Sequence, residues 1–254
     1  MAFGGSLSWN QLTGAVTAVV ENAEIEAIEA DVRIGALNDG TMSASTEAGA
    51  AIGGGTAAAG ALAFNAVGWD MGNIAAAGLN ALLGTDVGYT EMPLQTLALV
   101  KSSNISAAGD LVLSADNAMA LESSIVNAVD VVPAEAAGMA VGAALVLSSN
   151  RVRTETQAHI DGTPRQTGGN KATLSLGGGI EVSASDDSGI DASANMSSNS
   201  GGSVGVGAVM VRNDLRSGVS AQGWNLTVQA EEGDVSFTAT AAAHISAEID
   251  GKVT

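Results

Sequence analysis

One phrase is written four times along this chain: a glycine-led run of small and apolar residues closing on asparagine, followed by a β-branched stretch, an acidic turn and another alternating strand. It occurs as Gly4-Gly5-Ser6-Leu7-Ser8-Trp9-Asn10, Gly60-Ala61-Leu62-Ala63-Phe64-Asn65, Gly142-Ala143-Ala144-Leu145-Val146-Leu147-Ser148-Ser149-Asn150 and Gly207-Ala208-Val209-Met210-Val211-Arg212-Asn213. Self-similarity of this length marks a stacked, quasi-one-dimensional fold, because one unit cannot bury its own apolar face and needs the next. Within the units the segments are β-prone with period-two character, as in Val16-Thr17-Ala18-Val19-Val20, and each is broken by Asn, Gly or an acidic residue. The pattern predicts an all-β chain of strands and corners, with units over 4–47, 53–131, 138–200 and 201–254. A second signature recurs around Asp31, Asp110, Gly179 and Asp234.

The anchor asparagines are 55, 85 and 63 residues apart. Strands of about five residues would give roughly twenty residues per turn and about three turns per unit. The expectation is a rod of about a dozen coils, ~55–60 Å long at ~4.8 Å per coil. One segment departs from the strand pattern: Asn73 through Gly84 combines a capping Asn, helix-forming Ala and Leu, and a terminating Gly. It predicts a short helical insert near 73–84, leaving the stack at a corner.

Composition narrows the chemistry. The apolar residues are mostly Ala and Val, with only three Phe, three Trp and one Tyr beside 33 Gly, so the interior must be thin and the backbones close. A net charge of −18 disfavours nucleic acid and anionic lipid as partners. The absence of cysteine excludes a disulfide framework, a thiolate metal site and a cysteine nucleophile. The opening Met1-Ala2-Phe3-Gly4-Gly5 has neither the basic nor the long apolar region of a signal peptide, as in an internal segment behind a start Met or a mature chain. The longest uncharged stretch, Ala48 to Trp69, is too rich in Gly, Thr and Asn to predict a membrane span.

Few residues carry a chemical signal of their own. Asn10, Asn65, Asn150 and Asn213 are read as a structural ladder, since Asn at a strand end bonds its own backbone and stacked amides bond one another. Gly53 to Gly60 has the glycines of a phosphate loop but not the following Lys-Ser or Lys-Thr. His159 and His244 sit in matching phrases, which predicts matching outward positions and not a metal pair. Asp186, Asp187 and Asp191 are the residues from which a hard cation such as calcium would be held. The Gly-Gly-x-Gly-x-Asp repeat of calcium-loaded rolls is missing, so the reading is a solvated acidic corner with no metal and no cofactor. Arg151, Arg153, Glu155 and Asp161 are the types a β-helical polysaccharide lyase or hydrolase would need on one outer face. Aromatic platforms are scarce, so a salt-bridged face is preferred and no catalytic residue is assigned.

The phrases Gly201-Gly202-Ser203-Val204-Gly205-Val206, Ala158-His159-Ile160-Asp161-Gly162 and Ala108-Gly109-Asp110-Leu111-Val112-Leu113-Ser114-Ala115 resemble the degenerate repeats of very large bacterial surface adhesins of the filamentous haemagglutinin-like kind. The likeness covers most of the chain outside about 68–95. It implies a right-handed parallel β-helix (β-solenoid) with a short inserted helix, acting as an extracellular or cell-surface structural segment: adhesin shaft, spacer or fibre subunit. The partners implied are flanking repeats of a larger chain or copies joined end to end into a filament. The alternative is an adhesive module presenting the insert or the loop Thr163–Asn170 to a glycan, protein or cell-surface receptor.

Overall fold

Period-two alternation sends one parity of each strand inward, and the computed structural model, which describes residues 1–53, 55–132, 141–164, 171–200 and 204–254, buries that parity throughout its middle strands. The first circuit is β1 (Ala2–Leu12), β2 (Ala15–Glu21), β3 (Glu24–Ala27), β4 (Val32–Asn38) and β5 (Thr41–Gly53). The second is β6 (Thr56–Val67), an insert of β7 (Trp69–Asp70), α1 (Ile74–Leu83) and β8 (Thr90–Glu91), then β9 (Leu94–Lys101), β10 (Asn104–Ala107), β11 (Leu111–Asn117) and β12 (Ala120–Val132). The third is β13 (Val141–Asp161), β14 (Ala172–Leu176), β15 (Ile180–Asp186) and β16 (Gly189–Asn199). The fourth is β17 (Val204–Trp224), β18 (Leu226–Ala230), β19 (Val235–Ala241) and β20 (His244–Val253).

Equivalent strands of successive circuits pair in parallel and in register, giving four parallel sheets. The long sheet runs β1-β6-β13-β17 along one half and β2-β9-β13-β17 along the other. The others are β3-β10-β14-β18, β4-β11-β15-β19 and β5-β12-β16-β20. One repeat unit is therefore one circuit, not three, and four strands stack where a dozen coils were expected. Strand length is the reason: β13 and β17 each run 21 residues, and a circuit visits four sheets. At ~4.8 Å per strand the stack measures about 15 Å from first to last strand, not ~55–60 Å.

The interior lies between the long sheet and the other three. Ala57, Ala61 and Val146 of its first half meet Ile125, Val129 and Met196 from the last sheet, while Ala98 and Ile160 of its second half meet Leu111, Leu113, Leu174 and Val182. The alanines of the long sheet, set against larger apolar side chains of the others, keep the layers close. The Asp31, Asp110, Gly179 and Asp234 corners stack in register, since the residues that follow them pair as Val32–Leu111–Ile180–Val235. A Cβ on Gly179 would stand 2.5 Å from the Asp234 carbonyl oxygen, which is why that corner lacks a side chain.

The insert leaves at Gly68, whose φ of +72° and Cβ position 2.0 Å from the Arg153 carbonyl oxygen admit only glycine. The Met92 N–H donates to the Gly68 carbonyl at 3.0 Å, closing the insert at its own base. α1 begins where the Asn73 side chain accepts from the Ala76 N–H and ends on left-handed Gly84. The Asn80 side chain then donates to the Val87 carbonyl and accepts from Thr85 and Val87, fixing the loop behind the helix. Among the described residues no helix is long and apolar enough to cross a membrane. Most of the loop Thr163–Asn170, and Gly201 to Ser203, lie outside the described residues.

Candidate functional site

The repeated asparagines meet inside the stack. Nδ2 of Asn10 donates to Oδ1 of Asn65 at 2.8 Å, Asn65 to Asn150 at 2.9 Å, and Asn150 to Asn213 at 2.9 Å. Asn65 also donates to the Ser123 hydroxyl across the interior. A second polar column, which the sequence reading did not find, runs through Asn38, Asn117 and Ser188 with bonds of 2.6 and 2.7 Å. Its neighbour is Asp186, in register with Asn117 and fully buried. Asp186 accepts from Thr154 at 2.6 Å, Thr156 at 3.2 Å, and both the N–H and hydroxyl of Ser188. The interior is thus not purely apolar, because paired polar columns thread it.

The acidic trio is not brought together. Asp186 faces inward, the exposed Asp187 lies 3.9 Å from His244 Nδ1, and the exposed Asp191 lies outside on β16 in register with Glu122. Among the described residues no group of three or more His, Asp or Glu is placed to hold a metal ion. The histidines occupy different sheets despite their matching phrases: His159 on β13 bonds the Ser220 hydroxyl and meets the Trp224 ring edge-on, whereas His244 opens β20 opposite Gly189. Burial lowers the His159 pKa from its ordinary value. Gly60 lies within β6, so strand and not helix follows the Gly53–Gly60 stretch.

Arg151 and Arg153 do share an outer face with Glu155, but the insert engages the arginines. Arg151 has no solvent exposure, pairs with Asp86, lies 3.6 Å from Asp214, and lies over the rings of Trp69 and Tyr89 at 5.0 and 4.6 Å. Arg216 reaches Glu91 at 2.8 Å, Asp86 at 3.1 Å and Asp214 at 3.0 Å. Arg212 binds Asp86 and the carbonyls of Asn80 and Thr85, and Arg153 lies 3.5 Å from Glu91. Burial pushes the Asp86 carboxyl up, but hydrogen bonds from Arg151 and Arg216 and the nearby guanidinium charge hold it below its ordinary value. The Asp214 carboxylate raises the Arg216 pKa in turn. Glu155 bonds Gln157, and Asp161 caps its own turn by accepting from Thr163. Four of the nine basic residues thus clamp the insert from the second circuit onto the third and fourth. Asp86, Glu91, Arg212 and Arg216 escaped the sequence reading because the ion pairs that reach the insert join positions 62 to 130 residues apart.

Beside the clamp, among the described residues, the same outer face has three register rows without a charged side chain. They cross the four circuits as Phe3–Ala58–Ala143–Val206, Gly5–Gly60–Leu145–Ala208 and Leu7–Leu62–Leu147–Met210. α1 stands along their border, and between helix and sheet lies an open groove of about 380 Å³ lined by apolar side chains and one glycine. The outer face of the β5-β12-β16-β20 sheet is its opposite, bearing Glu47, Glu122, Asp191, Glu248 and Asp250.

The open ends complete the surface. Inward positions of the fourth circuit remain bare: Phe237 is 43% exposed and Ile245 51%, although their third-circuit partners Val182 and Ile190 are fully buried. Comparison with family models, with curated proteins and with solved structures finds no match to this chain.

Proposed function

We propose that the chain is a structural segment of an extracellular or cell-surface repeat protein, a right-handed parallel β-helix serving as adhesin shaft, spacer or fibre subunit, without catalysis or cofactor. The observation that carries this reading is that the asparagine ladder runs through all four circuits in register and keeps an unused donor or acceptor at each end of the stack. Asn10 presents its carbonyl oxygen at one end and Asn213 its amide at the other, so the last circuit of one segment matches the first of the next in both polarity and backbone pairing. The half-bare Phe237 and Ile245 are the apolar counterpart, because a further circuit would cover them as the fourth covers the third. Flanking repeats of a larger chain, or copies joined head to tail, are the partners this geometry fits. The resemblance of the repeats to adhesin shafts supplies the exported setting.

The test is a tandem fusion of two copies through a short spacer, compared with the single chain by thermal melting and negative-stain microscopy. A continuous double-length rod, melting several degrees above the single copy because two open ends are now buried, is the expected result. Two separate bodies with an unchanged melting temperature would refute the shaft reading.

A further inference from the structure

We infer that two copies of this chain pair side by side through the charge-free rows of the outer face beside α1, an association distinct from end-to-end joining. Phe3 is 76% exposed, Leu7 52%, Leu79 60%, Leu82 53%, Leu145 44% and Val206 57%, all on or bordering this one face. Together with Met210 they expose on the order of 700 Å², close to the ~800 Å² per partner of a stable dimer and above what a monomer ordinarily leaves bare.

Charge selects a second copy as the occupant. Each copy carries −18, and contact through the β5-β12-β16-β20 face would set Glu122, Asp191 and Glu248 of one against those of the other. The three apolar rows are where two such chains can approach without stacking carboxylates, and α1 is itself uncharged. Shape agrees. A two-fold contact needs a projection and its receptacle on the same surface, and here the α1 ridge, with Leu83 71% exposed, stands next to the apolar groove. A two-fold axis lying in the contact plane, midway between ridge and groove, sets each ridge against the other's groove.

Sedimentation velocity on the intact chain tests this, beside Leu145→Glu and Leu7→Glu, both outward-facing and outside the interior. The expected result is a two-chain species whose dissociation constant rises about a hundredfold or more in either variant, since symmetry buries the unpaired carboxylate twice. Circular dichroism, and the melting temperature at a concentration low enough that the parent is also monomeric, stay as in the parent, which separates lost pairing from lost folding. End-to-end joining instead gives an open series of sizes that neither variant shortens, so the two associations fail independently. A parent chain monomeric at 100 μM overturns the inference, as does a dimer indifferent to both variants. Flotation of a monomeric parent with phosphatidylcholine vesicles would assign the face to a lipid surface and overturn it too.

Discussion

The third and fourth circuits follow one design in different surroundings. Leu174, Val182 and Ile190 of the third are fully buried, whereas their register partners Val228, Phe237 and Ile245 are 39%, 43% and 51% exposed. Within the fourth circuit the difference repeats. Residues 211–221 of β17 are half-buried while β18, β19 and β20 are almost wholly exposed, and it is β17 that carries Arg212 and Arg216 into the insert. A circuit in a stack is thus held by what covers it, and the insert partly replaces a neighbour on one side only.

The comparison is tested most severely by truncation at equivalent positions. Leu113→Ala, fully buried in the second circuit, should lower stability by about 3–4 kcal/mol in urea denaturation. Phe237→Ala removes a larger side chain from the same register column yet should cost below about 1.5 kcal/mol, because its site is already open to water. Equal losses at the two positions would erase the distinction between middle and end circuits. The ladder gives the next effect: Asn65→Leu strands the amide partners of a fully buried residue and should cost about 3 kcal/mol, and Asn213→Leu about 1 kcal/mol.

A smaller effect follows from the clamp. Arg151→Met keeps the packing against Trp69 and Tyr89 but removes the buried charge from Asp86, which Arg212 and Arg216 still hold; the expected loss is about 2 kcal/mol. Hydrogen exchange should quicken first in 68–93 and β17, leaving β14, β15 and β16 protected. The smallest expected change is with pH. Because the folded Asp86 carboxyl is held below its ordinary value near 3.8, its contribution is complete above that value and is lost as pH falls through the lower folded one. In a Trp9→Phe, Trp224→Phe background, Trp69 emission should stay blue at neutral pH and shift red only below that carboxylate range. A red shift already complete at pH 5 would point to another group.

What the sequence disclosed was periodicity, and what it withheld was scale and distance. The four asparagines and the corner signature were legible because stacking repeats the same demand at each circuit. Circuit size was not, since period-two alternation runs alike through a five-residue strand and through the 21 residues of β13. Asp186 was set among surface carboxylates on composition, although its parity with Ile180, Val182 and Ala184 already turned it inward. The apolar outer rows hid for a related reason: Leu7, Leu62, Leu147 and Met210 look like core until register shows which side they share.

Gly68 and the corner it occupies bear on how such a chain diversifies. At that one place the first circuit makes its turn through Thr13 and Gly14, the second sends out residues 68–93, and the third and fourth run straight through. Since the insert closes on itself through Met92 and Gly68, lengths gained or lost there leave the pairing of all four circuits unchanged, at a loop-closure cost that grows only slowly with length. Novelty at this corner can accumulate without retuning the interior, and descendants of such a repeat can differ widely in what they display while inheriting the same spine.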